Sequence, residues 1–206
     1  MSISRQRCSQ SFLDHKIESR QYTPGDLPPW FTDLAHDILS HDRGAGYWVW
    51  KPLIIWQTLI SLEEGQWLIY TDAGVALKRQ PPAFRPIHLY HNAYKHQQWC
   101  KGSVLSHFFL HDRQDKALQA SVIVMQKSDE AMDLVTDWLR YCLLPGFIDD
   151  SPSRWNHTSF IEHRHDQAIL GCLAIQRSIA LDNHTTSHSW IDHHRLRNDE
   201  YMSQSC

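Results

Sequence analysis

Two short apolar runs, each followed by polar or turn-forming residues, predict the central strands of a sheet. The first run covers 67–71 and stops at Asp72, and the second covers 120–125. Runs of this length that end in a turn signal are typical of buried strands. Weaker patterns predict two more short strands, at 17–22 and 87–90.

Apolar residues spaced three or four positions apart predict helices around these strands. The predicted helices cover 30–39, 50–62, 129–142 and 158–177. Pro52 suits the first turn of the second of these, where its missing N–H is not needed. Ser128 is placed to cap the third. Helices that alternate with buried strands indicate an α/β sandwich.

The composition narrows the class of protein. The chain has 206 residues, 42% of them hydrophobic, which suits one domain over 1–206 with an irregular segment at 1–16 and a polar tail at 182–206. A net charge of −3 argues against a general nucleic-acid binder. No apolar run is long enough to span a membrane, and no signal peptide is evident. The five cysteines form no Cys-x-x-Cys pair, so neither a zinc ribbon nor a disulfide scaffold is indicated, and a cytoplasmic location is predicted.

Asp72 is the first candidate for chemistry. It directly follows the predicted strand 67–71, and ligands of open α/β sheets bind at the carboxyl ends of strands. A carboxylate there can hold a divalent cation together with substrate phosphates. The alternative is a plain turn residue, because Asp-Ala-Gly also forms a good turn.

A second candidate is the segment 43–52, which gathers glycines, aromatic rings and two cations. Arg43 offers bidentate anion recognition, and backbone N–H groups at the start of the following helix favour phosphate. The alternative is a glycine loop whose aromatic residues Tyr47, Trp48 and Trp50 pack into the core.

A third candidate is Asp166, which shares a helical face with apolar residues at 169, 170 and 173. A carboxylate on the inward side of a helix must be paired, coordinated or functional. The simplest alternative to function is a buried ion pair with Arg43 or Lys51. Glu162 could serve only as part of a capping box with Ser159.

The three segments together resemble a family of small bacterial and viral glycosyltransferase-like proteins of the GT-A type, linked to capsule, lipopolysaccharide and related glycan synthesis. The motifs are Arg-Gly-x-Gly-Tyr-Trp-x-Trp-Lys-Pro at 43–52, Tyr-x-Asp-Ala-Gly at 70–74 and Glu-His-Arg-His-Asp-Gln at 162–167. The resemblance covers 17–195. It implies a GT-A-like, Rossmann-like three-layer sandwich with a mixed, mostly parallel sheet and a short N-terminal part.

The resemblance also implies a nucleotide-diphospho-sugar donor, with a UDP-sugar as first choice, a glycan acceptor, and Mn²⁺ or Mg²⁺ as cofactor. Asp72 stands where GT-A enzymes carry an Asp-x-Asp motif, but position 74 is glycine. His193 or His194 is therefore predicted to supply the missing metal ligand, although the alternative for both is a polar tail.

Residues of all three motifs are expected to contact the donor: Arg43, Gly46, Tyr47, Trp48, Lys51, Tyr70, Ala73, Gly74, His165 and Gln167. Asp166 is the predicted general base of an inverting enzyme. In a retaining enzyme Asp166 or Gln119 would steady the oxocarbenium-like centre, and His163 is the third catalytic candidate. A metal-dependent nucleotide-sugar hydrolase and a non-catalytic nucleotide- or glycan-binding protein are the alternatives. All of these hypotheses require Asp72, the 43–52 segment and Asp166 to be neighbours.

Overall fold

The computed structural model of the chain describes residues 3–193. The helices are α1 Ile3–Asp14, α2 Pro29–Leu34, α3 His36–Leu39, α4 Gly44–Tyr47, α5 Trp50–Ser61, α6 Gly102–His107, α7 Asp129–Cys142 and α8 His165–Gln176. The strands are β1 Trp67–Thr71, β2 Val75–Leu77, β3 Ile87–Lys95, β4 Lys116–Gln126, β5 Leu181–Asn183 and β6 Ile191–His193. No described helix combines the length and apolarity that a membrane crossing requires.

The main sheet has four strands in the order β1-β4-β3-β5, and β2 pairs with β6 in a second, smaller sheet. The β1–β4 and β3–β4 pairs are antiparallel, and β3–β5 is the one parallel pair of the described sheets. The mixed α/β class is confirmed, whereas the expectation of a mostly parallel sheet is wrong. Strands covered on both faces are apolar throughout in either arrangement, so the runs at β1 and β4 could not distinguish the two.

Both faces of the sheet are indeed covered. Ile123 and Met125 of β4 belong to the large core with α5, α7 and α8, while Val122 and Val124 face a second core built with α1, β2 and β6. Successive side chains of a strand point to opposite faces, so one apolar strand serves both cores. The buried ring of Trp190 lies in the second core.

Several predicted elements are confirmed. Strand β1 and helix α5 match the predicted 67–71 and 50–62 almost to the residue. The cap of α7 is also confirmed, because the hydroxyl of Ser128 accepts a hydrogen bond from the N–H of Ala131 at 3.2 Å.

Other elements are corrected. The predicted irregular N-terminus contains α1, held in place where Phe12 packs into the second core. Residues 17–22 form no strand. Helix α8 begins at His165 rather than at 158 or 159, because the hydroxyl of Ser159 hydrogen-bonds His157 instead of capping a helix. The predicted tail from 182 carries β5 and β6, and residues 194–206 lie outside the described part.

Candidate functional site

The three motifs meet at Lys51. Its ammonium nitrogen lies 3.5 Å from Oδ1 of Asp72 and 3.3 Å from Oδ2 of Asp166. Lys51 and Asp166 are buried, whereas the Asp72 side chain is 46% exposed. We call Lys51, Tyr70, Asp72 and Asp166 the Lys51 cluster. One of the two ion pairs considered from the sequence, that of Asp166 with Lys51, is present.

An irregularity in β4 makes this meeting possible. Along the β3–β4 pair, His88 lies opposite Val124, but Tyr90, two residues later, lies opposite Gln119. Several residues of β4 are therefore displaced from the regular ladder with β3. Backbone groups in such a bulge are available to partners outside the sheet.

Backbone groups of Ala120 and Ser121 in β4 connect the elements that carry the Lys51 cluster. The carbonyl of Ala120 accepts a hydrogen bond from Lys51 Nζ at 3.3 Å, and its N–H donates to Oε1 of Gln167 at 3.1 Å. The next carbonyl, that of Ser121, accepts from the N–H of Asp72 at 3.0 Å. A single bulge thus positions side chains from α5, α8 and the turn after β1. Gln167, predicted to contact the donor, serves here to anchor α8.

Burial dominates the electrostatics of Asp166. It raises the pKa of this carboxyl to about 6, with a further contribution from the charge of Asp72 and an opposing one from Lys51. Burial opposes the charge of Lys51 as well, but the two carboxylates hold the pKa of Lys51 above its ordinary value. The buried Oδ2 of Asp166 is ion-paired with the Lys51 ammonium, and no other described residue donates a hydrogen bond to it. An ionisable group near neutrality with a single partner that a ligand can displace is suited to proton transfer.

Tyr70 orients the exposed acid. Its hydroxyl donates to Oδ1 of Asp72 at 2.8 Å, and the Lys51 ammonium lies 5.3 Å from the ring centroid. Burial and the charge of Asp72 raise the pKa of Tyr70 well above its usual range, so the hydroxyl stays a donor. Asp72 is thereby fixed at one oxygen while its side chain remains open to solvent.

The segment before α5 has an unusual backbone. Residues 44–48 all have positive φ, between 48° and 90°. Such a left-handed turn costs roughly 1–2 kcal/mol for each non-glycine residue, and strained backbone often occurs at functional sites. Gly44 is required here, because a Cβ would lie 2.4 Å from the ring of Trp48.

The left-handed turn at 44–48 places two aromatic rings beside His165. The ring centroid of Tyr47 lies 4.7 Å from that of His165 in a stacked arrangement, and that of Trp48 lies at 5.7 Å. Nδ1 of His165 donates to the carbonyl of Ile148 at 2.7 Å, while its buried Nε2 has no hydrogen-bond partner in the described chain. Burial lowers the pKa of His165 to about 4, so the ring is neutral at pH 7. Nε2 of His165 therefore lies one residue before the ion-paired carboxylate of Asp166 and has an acceptor lone pair that no described residue uses.

Arg43 lies apart from the Lys51 cluster. Its guanidinium pairs with Glu162 at 2.9 Å and Asp150 at 3.4 Å and is about two-fifths exposed. Both acids line a cavity of about 240 Å³ in the 150–163 region, which also includes His163. In the described structure Arg43 therefore neutralises loop carboxylates at the edge of this cavity.

His163, a catalytic candidate, is engaged at both ring nitrogens. Nδ1 accepts from the N–H of Lys101 at 3.2 Å and Nε2 donates to the carbonyl of Phe147 at 2.8 Å. These contacts hold the loop before α8 and leave no ring nitrogen for a substrate. Gln119 donates to the hydroxyl of Ser121 at 3.1 Å, close to the bulge.

The remaining predicted residues lie around the turn after β1. Ala73 and Gly74 form that turn, closed by a hydrogen bond from the N–H of Val75 to the carbonyl of Asp72. Gly46 is buried within the left-handed turn. His193 in β6 pairs with Val75. His194 lies outside the described residues.

Metal ligands are not gathered around Asp72. His193 lies opposite Val75, three residues after Asp72, and burial together with the charges of His188 and His184 lowers its pKa. Yet within residues 3–193 the one set of three metal-ligating side chains with suitable spacing is His96, Cys100 and Cys172. Near Asp72, the Lys51 ammonium already lies between the two carboxylates that a bridging cation would use. The other predicted ligand, His194, lies outside the described residues, so the Mn²⁺ or Mg²⁺ site stays a prediction.

The cysteine set was missed because the cysteines were considered in pairs. The spacing of His96 and Cys100, four residues apart, was the available signal. Although burial opposes it, hydrogen bonds from Cys172, His163 and His96 hold the pKa of the Cys100 thiol well below its usual value. Burial and the neighbouring Cys100 raise the pKa of Cys172 well above its own.

Comparison with known proteins assigns no family to the chain, so its function must be inferred from the geometry described above. No family model, curated protein or solved structure matches the chain.

Proposed function

We propose that the protein is a glycosyltransferase of the GT-A type that moves a sugar from a nucleotide-diphosphate donor to a glycan hydroxyl. The observation that supports this is the meeting of three motifs, far apart in the sequence, at the Lys51 cluster. A buried ammonium, an exposed carboxylate and a buried carboxyl with a near-neutral pKa form a set that can bind an anionic leaving group and accept a proton.

Lys51 supplies positive charge to the departing diphosphate. A fixed ammonium in a site shielded from water stabilises developing negative charge more strongly than one in solvent. Because the Lys51 ammonium already lies between Asp72 and Asp166, its charge takes the part that a divalent cation would play in the proposed reaction. Asp72, held by Tyr70, is the exposed carboxylate that would accept hydrogen bonds from the ribose hydroxyls of the donor, since it would repel the diphosphate itself.

Asp166 is the proposed base for the acceptor hydroxyl. In the described structure its Oδ2 faces the Lys51 ammonium. A bound diphosphate would attract that ammonium and leave Oδ2, which has no other partner among the described residues, for the acceptor proton. Trp48, which is partly exposed and lies at 5.7 Å from the ring of His165, would provide the ring surface for the base or sugar, whereas Tyr47 is buried in the core behind it.

The first experiment is calorimetry with UDP, with and without Mn²⁺. We expect UDP to bind and Asp72→Ala to weaken its binding, while Asp182→Asn, which changes a partly exposed acid paired with Arg85, leaves it unchanged. Strict dependence on Mn²⁺ would contradict the role given to Lys51. Absence of binding by any nucleoside diphosphate would remove the donor from the proposal.

The second experiment measures transfer from a panel of nucleotide sugars to glycan acceptors. Asp166→Asn should abolish transfer and leave UDP binding intact. Turnover at the wild-type rate in this variant would remove Asp166 from the mechanism. Donor consumption without an acceptor would instead indicate a hydrolase, and binding without turnover a non-catalytic protein.

A further inference from the structure

A second constellation lies inside the protein, away from the residues used above. His96 opens a single 3-10 turn after β3, Cys100 follows it, and Cys172 comes from the middle of α8. Cys100 and Cys172 are fully buried and His96 is 4% exposed. Nε2 of His96 lies 3.2 Å from Sγ of Cys172, the two sulfurs are 3.8 Å apart, and all three ligand atoms lie within 4.8 Å of one another.

The backbone leaves space for this arrangement at Gly171. A Cβ at that position would lie 2.5 Å from Cε1 and 2.9 Å from Nδ1 of His96. Any other residue would push the imidazole away from Cys172. The fold therefore keeps the ring at this depth, beside the two sulfurs, through a glycine in the interior of a helix, where glycine is otherwise unfavourable.

The distance between the two sulfurs matches a tetrahedral metal better than a disulfide. With Zn–S bonds of about 2.3 Å, two thiolates of a tetrahedral zinc site lie about 3.7 Å apart, close to the observed 3.8 Å. A disulfide needs sulfurs about 2.05 Å apart, so both would have to move. Two cysteines and one histidine are soft and borderline ligands, which favour zinc over Mg²⁺ or Mn²⁺.

We propose that His96, Cys100 and Cys172 bind one Zn²⁺ as a structural site. The ion would join α8 to the segment that follows β3. The described residues supply three ligands, since both ring nitrogens of the neighbouring His163 are already engaged by Lys101 and Phe147. Since Asp166 precedes Cys172 by six residues on α8, roughly 9 Å along the axis, the site would also brace the helix that carries the proposed base.

The test is metal analysis of the full chain purified under reducing conditions, followed by replacement with Co²⁺. We expect close to one zinc per chain and, with cobalt, an intense thiolate-to-metal charge-transfer band with tetrahedral d–d bands in the visible. Cys172→Ser and Cys100→Ser should lose the zinc and these bands. Cys142→Ser changes an equally buried cysteine in α7 and should keep both.

A measurement on the wild-type protein keeps the proposal testable if the cysteine variants fail to fold. Removal of zinc with a chelator should accelerate alkylation of Cys100 and Cys172, mapped by mass spectrometry, and leave Cys142 unchanged. The proposal is overturned if the metal-free chain gives no charge-transfer band with Co²⁺, or if the chelator leaves all alkylation rates alike. It is also overturned if Cys100 and Cys172 are joined by a disulfide in the reduced preparation. These outcomes are independent of UDP binding, so they do not depend on the proposed transferase activity.

Discussion

The Lys51 cluster and the His96–Cys100–Cys172 set are both polar groups inside the protein, but they are satisfied differently. The Lys51 cluster opens to solvent through Asp72, and among the described residues Oδ2 of Asp166 has the Lys51 ammonium as its single partner. The cysteine set is closed, since its two sulfurs are fully buried and contact each other.

The difference illustrates two roles that buried polar groups can have in a protein. A buried acid held by one ion pair beside an exposed acid can exchange partners with a ligand, at a cost to stability. A sealed group of soft donors cannot exchange with solvent and suits an ion that stays bound. The first region should therefore respond to pH and to nucleotides, and the second to metal.

The largest expected effect comes from breaking the ion pair at the first region. Lys51→Ala leaves the buried Asp166 beside Asp72 without a cation, and removal of one partner of a buried pair costs about 3–5 kcal/mol. Urea denaturation at pH 7 measures the loss. The double variant Lys51→Met with Asp166→Leu should recover much of it, because no buried charge is left unpaired. A loss below about 1 kcal/mol, typical of exposed pairs, would show that these charges are solvated.

The next effect is the pH dependence that Asp166 confers. Its pKa is about 6 in the folded chain, against 3.8 ordinarily. Between these values the native state binds more protons than the unfolded state, so this group makes stability fall as pH rises from about 4 to 6, by on the order of 3 kcal/mol. Because burial lowers the pKa of His165 to about 4, that group makes stability rise over the same interval and masks the fall in the wild type. Denaturation at several pH values should therefore show stability rising more steeply between pH 4 and 6 in Asp166→Asn than in the wild type.

The contribution of Asp149 to the pH dependence must be distinguished from that of Asp166 in the same experiment. Hydrogen bonds from Lys101 and Ser151 outweigh its burial and lower its pKa to about 2, so its contribution is lost as pH falls below about 4. Its effect has the opposite sign and stays present in Asp166→Asn. An unchanged slope between pH 4 and 6 in that variant would contradict the raised pKa. If Asp166 is the base, transfer should also rise with pH through about 6.

A smaller effect is expected at the second region from Gly171→Ala. The new methyl group would displace His96, as in an overpacked core, with a loss of about 1–3 kcal/mol. Zinc binding should weaken while UDP binding is kept, and denaturation with and without zinc measures both the stability and the coupling. Gly25→Ala is the control, since its Cβ would meet only the Thr23 hydroxyl at 3.7 Å. Equal behaviour of the two variants would contradict the proposed role of Gly171.

The smallest effect is expected from Tyr70→Phe, which removes one hydrogen bond to Asp72. A single hydrogen bond contributes about 1 kcal/mol, so UDP affinity should fall up to about fivefold. Calorimetry gives the ratio, and stability should change by less. An unaltered affinity would mean that Asp72 needs no support to contact the donor.

Local signals predicted part of the fold. Helix α5, strand β1 and the Ser128 cap of α7 follow from periodicity, turn residues and a side-chain acceptor at the correct position. Helix α1 did not, because its place depends on Phe12 meeting the second core. The start of α8 was misplaced because the competing contact between Ser159 and His157 has no helical signal.

The sequence by itself determined which residue types carry the candidate chemistry, and it narrowed the partner of Asp166 to Arg43 or Lys51. The tertiary structure shows that the partner of Asp166 is Lys51, because Arg43 is paired with the loop acids Asp150 and Glu162.

The cysteine set was decided by tertiary structure alone. Cys100 and Cys172 are 72 positions apart, and local periodicity carries no information about contacts at such a separation. Only packing of α8 against the segment after β3, with Gly171 leaving space for His96, brings them together.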